Sequence, residues 1–564
     1  MTDGPHQAGI SLLRNFDIES FPGALKVAKQ PQSYFPALNT VTFTVDPATN
    51  IFTAGSTIES GALNMSGAAV YLTSTGNLPV ADPVGLSVNT VYYIIRVTAT
   101  TFKLATSYKN AVGSAAGTAM DITDAGTNVH TIHPIAIGTI NWILQDPRNN
   151  YIYMLDSNGR TWFVPTGSKA YLLHNSAIED VDAALTNASG NGLALHAFSN
   201  TTSTYLFTFR NAVVDVIDVY GDTAIEALAW SNAWQNLNTG SGVANSHHAI
   251  RSQDDAIYFC DNRYVGSIIE KVGQTFVPAT AASFTYNNQA LDLPTYEVAQ
   301  CLEELGVNLL AGGNTFDKIY PWDRISNSFS LPMSVGEYAI KRMKNIGGTV
   351  YVLAGSQGNI YTTQGSYVKF FKSIPKYLTN NAYSVLASPI TWGGIASVGN
   401  ALLFGLAGTT SGSSGVYRLY LDGRLIHDNT PASGSKNVTA IWAKDEFYLM
   451  GYAGGADNFS ALAAQYSASY LAIAHSELYP IGTKTKKGKY SEIELQLANP
   501  ASTGGVRVSY RRDKISSFTT IETFAMDGTA MSFKKDCGLT DIENIQFQIE
   551  AHGNAEIKEV RLIP

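Results

Sequence analysis

The chain is poor in charge. Of its 564 residues only 15% are Asp, Glu, Lys or Arg, against roughly a quarter in an average soluble domain. Ser, Thr, Asn and Gly fill the surface instead, which suits a β-rich particle or secreted protein better than a metabolic enzyme. The net charge of −8 is modest for this length, so a protein that coats nucleic acid by neutralising phosphates has no electrostatic support. There are three cysteines, Cys260, Cys301 and Cys537, far apart and in no metal spacing. They read as buried thiols, and the absence of a disulfide framework fits assembly in a reducing cytoplasm. No run approaches the ~18 apolar residues of a membrane span. The opening MTDGPHQAGISLLRNFDIES lacks the basic start and apolar run of a signal peptide. Helical periodicity is nearly missing. The best candidate, Ile178 to Leu185, is short, so a solenoid of helix pairs is disfavoured. Calcium-loop, phosphate-loop, zinc and nucleophile-elbow patterns are also missing. No catalytic, cofactor-binding or metal-binding residue is assigned, no cofactor is expected, and the chain is not expected to be an enzyme.

What the sequence does contain is a repeat. AQCLEELGVNLLAGGNTFDKIYPWDR and IKRMKNIGGTVYVLAGSQGNIYTTQGS each run from an apolar strand through a turn (Gly306; Gly347-Gly348) into a second apolar strand. A third strand then carries Ile319-Tyr320 or Ile360-Tyr361. These are hairpin signatures, and repeated small antiparallel sheets point to a β-propeller. The most regular strand of each unit starts at Tyr151, Thr204, Ala256, Asn308, Thr349, Ala401 and Glu446, at intervals of 53, 52, 52, 41, 52 and 45 residues. Such intervals bracket a propeller blade of roughly 40 to 50 residues. Six or seven blades fit, with six plus a divergent or shared unit favoured.

The expected fold class is therefore all-β: a propeller over 135–474, an inserted small β-barrel or sandwich over 37–134, and a C-terminal β-sandwich over 475–564. Residues 1–36 form an N-terminal arm that either docks or supplies the strand closing the propeller. The inserted module alternates in period two at Val41-Phe43-Val45, Val91-Tyr93-Ile95 and Phe102-Leu104. The C-terminal module does so at Ile493-Leu495-Leu497 and Ile545-Phe547-Ile549.

Several strings invite a chemical reading. LDSNGRTWF (Leu155 to Phe163) is similar to the Asp box of sialidase-type propellers: Gly159, Thr161 and Trp162 match, while Leu155 stands at the Ser and Ser157 at the Asp. Even a full match would mark a blade turn and not an activity. A sialidase also needs converging arginines, and nothing in the spacing of Arg160, Arg210, Arg251 and Arg263 brings them together. His247-His248 with Asp254 and Asp255 evokes a metal site, but adjacent histidines on a strand face opposite ways. Glu303-Glu304 reads as a solvated hairpin turn. Lys484, Lys486, Lys487 and Lys489 read as an exposed loop, or as a contact for an acidic neighbour or a glycan. The 30 Tyr and 24 Phe are read as core and cross-strand packing.

The string VGLSVNTVYYIIRVTATTFKLATS resembles accessory modules of phage tail and fibre proteins. Asn15 to Lys26, Ile319 to Arg324, Ala354 to Tyr361, Ser476 to Thr483 and Tyr510 to Asp513 together resemble a family of tailed-bacteriophage virion proteins. Within it, the chain is similar to the propeller-based nozzle, or tail tubular protein B, of short-tailed phages. That resemblance implies a hexameric ring at the tail end through which viral DNA passes without specific binding. It also implies partnership with tail adaptor and fibre proteins, and a place in the virion after assembly in the host cytoplasm. The alternatives are a receptor-binding or fibre-attachment component that touches a host surface glycan, and a glycan-cleaving propeller.

Overall fold

Strands that are covered on both faces need no polar alternation, so they read as unbroken apolar runs. The seven runs marked by the repeat are the second strands of seven antiparallel sheets. In the computed structural model the described residues are 10–563, apart from 15, 18–24, 28–31, 36–37, 59–65, 83–84, 113–117, 147–149, 165–169, 176–189, 198–203, 211–212, 219–229, 239–248, 252–255, 272–283, 375–390, 408–413, 432–435, 445–446, 460–471, 477–478, 481–487, 500, 502–503 and 513–516. The first, inner strands of the sheets are Ile140–Gln145, Gly190–Ala197, Ala249–Arg251, Ala299–Leu305, Ile340–Ile346, Thr391–Val398 and Val438–Lys444. Each packs beside the next, and the seventh returns to the first. The ring is closed, and the fold is a β-propeller whose described residues form seven blades, within the expected six or seven: six from continuous chain and a seventh that is shared.

The local chemistry follows the repeat. Ile346 and Thr349 pair across Gly347 and Gly348 at φ 58° and 84°, the left-handed pair that a two-residue hairpin of matching twist demands. Register shifts follow the first residue of the inner strand in blades 1, 2, 4, 5 and 7, after Ile140, Gly190, Ala299, Ile340 and Val438. Three of those first residues meet a glycine at the fifth position of the preceding blade's second-strand run. Gly312 faces Ile340, Gly451 faces Ile140, and Gly405, across one blade boundary, faces the Val438 backbone. A side chain at any of them would push two blades apart.

The seventh blade is the shared unit. Three of its strands are Val438–Lys444, Phe447–Tyr452 and Gly455–Phe459, and the fourth is Gln32–Ser33, paired as Asp457 with Ser33 and Asn458 with Gln32. The arm does more than close the ring. Ile10–Arg14 lies between the outer strand of blade 6, Leu425–Asn429, and Ala472–Ser476, so the blade-6 sheet continues into a C-terminal sheet. Phe16–Asp17 and Leu25–Val27 join the second C-terminal sheet beside Glu556–Ile563. These two sheets face each other across Ile493, Leu495, Val506, Val508 and Ala551, all buried, which makes a sandwich. Ala472–Ser476 pairs with Asn544–Gly553 and belongs to it.

Of barrel and sandwich, the inserted module is a barrel. Six strands between Val41 and Pro134 close on themselves around Phe43, Phe52, Leu72, Phe102 and Leu104, with Phe52 and Phe102 stacked at 5.2 Å. A side sheet, Val80–Asp82 with Asp121–Asp124, caps one part of it. The barrel rides on the first and last blades: Ala69, Tyr71 and Tyr93 pack with Met154, Trp162, Val164 and Trp442. The Tyr108 ring also meets Phe163 edge-on at 5.1 Å.

Candidate interaction surface on blades 4 and 5

The two best-matched repeat units, blades 4 and 5, share a carboxylate clamp. Glu297, buried two residues ahead of the inner strand of blade 4, accepts hydrogen bonds from the N–H groups of Thr315 (2.8 Å) and Phe316 (3.3 Å) and from the Tyr320 hydroxyl (2.9 Å). Glu337 repeats this ahead of blade 5, accepting from the Tyr361 hydroxyl at 2.8 Å and from the Asn359 amide. Tyr320 and Tyr361 are the tyrosines of the Ile-Tyr repeat. Burial, reinforced by the glutamate, pushes the Tyr361 phenol up to about 12 and raises that of Tyr320 as well. Asp317 completes the chain of contacts, accepting from the Gly336 N–H at 3.0 Å and from the Ser334 hydroxyl.

The clamps fix the loops that carry exposed aromatic rings. Tyr296 is 83% exposed beside Glu297, Tyr338 is 73% exposed beside Glu337, and Phe316 follows a clamped N–H. On the opposite face of the same blades Ile325 and Leu331 are 90% and 88% exposed, with Val307 near them. That loop is also held. Asp323 accepts from the N–H groups of Ile325 and Ser326, and Arg324 reaches Glu304 at 2.8 Å and the Val307 carbonyl at 3.1 Å. At the outer edge of blade 5, Val368–Ser373 presents Lys369 and Phe370 next to exposed Tyr367, with the Lys369 ammonium 4.8 Å over the Tyr367 ring. Among the described residues, every strongly exposed Tyr or Phe lies between Tyr296 and Phe370. Sequence reasoning had assigned the aromatics to packing and missed these five. The available signal was position, since they fall at turns or on an outer strand rather than on second strands.

Other sequence candidates are dispersed. In LDSNGRTWF the anchoring carboxylate is Asp156 and not the Ser157 position. Asp156 accepts from the N–H groups of Asn158 (2.8 Å), Arg160 (3.0 Å) and Gly138 (3.1 Å) and from the Trp162 indole (3.0 Å), so the string is a turn lock. Arg160 donates to the Ala136 carbonyl in blade 1, while Arg263 in blade 3 pairs with Asp292 at 2.8 Å; these two do not converge. Arg210 ends the second strand of blade 2 and Arg251 the inner strand of blade 3. Glu303 and Glu304 are not a solvated turn. They lie on the inner strand of blade 4, half-buried and paired with Lys344 (3.7 Å) and Arg324 (2.8 Å), and burial raises the Glu303 carboxyl. His247, His248, Asp254, Asp255, Lys484, Lys486, Lys487 and the Ile178 to Leu185 stretch lie outside the described residues, and Lys489 is exposed on a strand.

Another buried polar cluster joins blades 6 and 7. Asp428 accepts from the Tyr448 hydroxyl (2.8 Å) and pairs with Arg418 (3.2 Å), and the Asn429 amide donates to Tyr448 at 2.7 Å. Its groups are engaged with one another across the blade boundary, which suits holding rather than reacting. Among the described residues no three His, Cys, Asp or Glu side chains gather where they could hold a metal ion.

No protein-family model matches the chain, and no curated protein sequence matches it. Solved structures that align with it include YCF48 bound to D1 peptide, at 11% identity and TM-score 0.39 over 58% of this chain and 94% of that one. The Cps50 (Swd1) β-propeller domain of Myceliophteria thermophila aligns at 12% identity and TM-score 0.37 over 58% and 98%. The computationally designed Ika8 protein aligns at 12% and 0.33 over 57% and 96%. The closed ring of sheets, and not these distant alignments, identifies the fold.

Proposed function

We propose that the chain is a structural subunit of a bacteriophage tail that joins copies of itself into a ring, serving as the nozzle at the tail end through which DNA leaves. The observation that carries this reading is the concentration of held, exposed apolar side chains on blades 4 and 5, across the propeller from the blades that bear the barrel. A closed ring needs two different lateral faces on each subunit, because its contacts are heterologous. Singly exposed apolar side chains are ordinary on a protein surface, but here they gather on two neighbouring blades and are held in fixed loops, which supports contact with a partner there. The phage assignment itself comes from the sequence resemblance. The test is native mass spectrometry of the purified protein with immunogold electron microscopy of virions. Rings of about six copies, the number the resemblance implies, and label at the axial tail tip support it; a monomer at all concentrations, or unlabelled particles, refutes it. The row Tyr296, Phe316 and Tyr338 favours one second reading, a receptor-binding component whose aromatic faces stack on sugar rings, for which label would fall on peripheral fibres.

A further inference from the structure

We infer that the contact between neighbouring copies pairs the acidic side sheet of one barrel with the lysine and aromatic outer edge of blade 5 of the next copy. This rests on the ring reading and gives it a specific interface.

The blade-5 edge is one half. Val368–Ser373 ends its sheet, and among the described residues it pairs only with Asn359–Thr363. Lysines on an edge strand ordinarily keep it from sticking to other strands. Here Lys369 and half-buried Lys372 flank Phe370, which is 60% exposed, and Tyr367 lies alongside. Exposed aromatic rings are enriched at interfaces, and the lysines beside them give this edge a positive charge that an acidic partner surface would complement.

The barrel supplies the complement. From Asn39 to Ile95, and again from Asn110 to Pro147, the sequence holds no Lys or Arg. Within those stretches Asp82, Asp121 and Asp124 are exposed on the side sheet. Asn50 bonds both the Asp121 carboxylate (3.2 Å) and the Ile122 N–H (2.7 Å), which draws the Asp46 turn to the same end. Val80, exposed on the same side sheet, pairs with Asp124. Each half therefore has an apolar component and charge of one sign, and the signs are opposite.

Placement makes the contact intermolecular. The barrel is seated on the first and last blades, whereas blade 5 stands two blades from the last and three from the first in the ring, and among the described residues no strand pairing joins the side sheet to Val368–Ser373. A contact that joins two different surfaces of successive copies is head-to-tail, and it closes into a ring when the rotation permits.

The test uses the full chain and sedimentation velocity at low and high salt. K369E/K372E and D121K/D124K should each weaken assembly by more than about tenfold, since each sets like charges against each other. The quadruple variant, with both halves reversed, should regain it. Phe370→Ser, which alters no charge, should weaken assembly at every salt concentration and provides a second reading should a charge variant misfold; circular dichroism checks the fold of each. Charge variants that assemble like the wild type overturn the pairing while the ring stands, and so does a quadruple variant that stays dissociated. A wild-type protein that never assembles overturns the ring reading and the pairing together.

Discussion

Gly405→Ala is the sharpest test of how the ring is held. Gly405 lies on the second strand of blade 6, and a Cβ there would collide with the Val438 carbonyl oxygen while standing 2.9 Å from its carbon and 3.1 Å from the Val438 Cβ. Overpacking a tight interior costs about 1–3 kcal/mol. The obstacle is backbone on the inner strand of blade 7, which cannot swing aside without breaking its own register, so the upper end, about 3 kcal/mol, applies. With an unfolding entropy of about 2.1 cal/mol/K per residue over the propeller, that corresponds to a fall in melting temperature of roughly 4 °C. Gly312→Ala and Gly451→Ala should cost less, about 1–2 kcal/mol, because their nearest obstacles are Ile340 Cγ2 at 2.7 Å and Ile140 Cγ2 at 2.6 Å, which are side-chain atoms. Gly85→Ala, whose Cβ meets nothing within 4 Å, is the control and should stay within about 0.5 kcal/mol. Thermal melts followed by near-ultraviolet circular dichroism give the order. If Gly405→Ala melts with the wild type, or Gly312→Ala costs more than Gly405→Ala, the account of the blade boundaries is wrong.

Glu297→Ala should destabilise the protein by about 3 kcal/mol, at a cost of about 1–3 kcal/mol per buried donor left unpaired; hydrogen exchange should quicken at the Thr315 and Phe316 amides, and unchanged exchange there would contradict the clamp. Tyr93 is pushed up to about 12 by burial, and Tyr361 also to about 12. Because the fold favours the neutral phenol, their contribution to stability is complete below the unfolded tyrosine value near 10 and is lost as the pH rises from there to about 12. Absorbance at 295 nm should show late-ionising tyrosines in the folded protein that join the rest in urea; a single folded-state midpoint near 10 would contradict this. Cys260 and Cys301 are fully buried, with the Cys301 thiol pushed up to about 12 by burial, whereas Cys537 is half-buried. A thiol reagent should therefore reach Cys537 first and the other two only on unfolding, and fast labelling of Cys260 would refute their burial.

The second strands were legible because neighbouring blades cover both of their faces, leaving continuous apolar runs such as the IYFC that opens Ile257–Asp261, all of it buried. Each marked start falls within a residue of the observed strand. The residues that complete the shared blade were not legible, because Gln32–Ser33 closes a sheet whose other strands lie over 400 positions away, and two residues carry no periodicity. Glu303 was misplaced for a related reason: a strand edge that exchanges ion pairs with the next blade has the composition of a solvated turn. The interaction surface hid behind residue type. Tyr320 is clamped and buried while Tyr296 is exposed at φ 73°, and no spacing rule separates a loop tyrosine from a strand tyrosine.

The N-terminal arm ties together bodies that could otherwise move apart. Its strands enter the blade-6 sheet, both sandwich sheets and blade 7 within the span from Ile10 to Ser33. Partners so distant in sequence impose a large loop-closure cost, so these pairings form after the bodies they join. Deleting residues 1–34 should then leave each body folded but unlinked. The barrel keeps its Phe52 and Phe102 stack and closed sheet, and the sandwich keeps the Glu556–Ile563 pairing with Gly488–Leu497. The propeller, with blade 7 reduced to three strands, loses the most. Calorimetry should resolve a propeller transition shifted down and separated from that of the sandwich, with proteolytic cleavage quickening in blade 7. A truncated protein whose propeller melts unchanged would show that the ring is held by its inner strands and glycine contacts alone, and that the arm does not lock it.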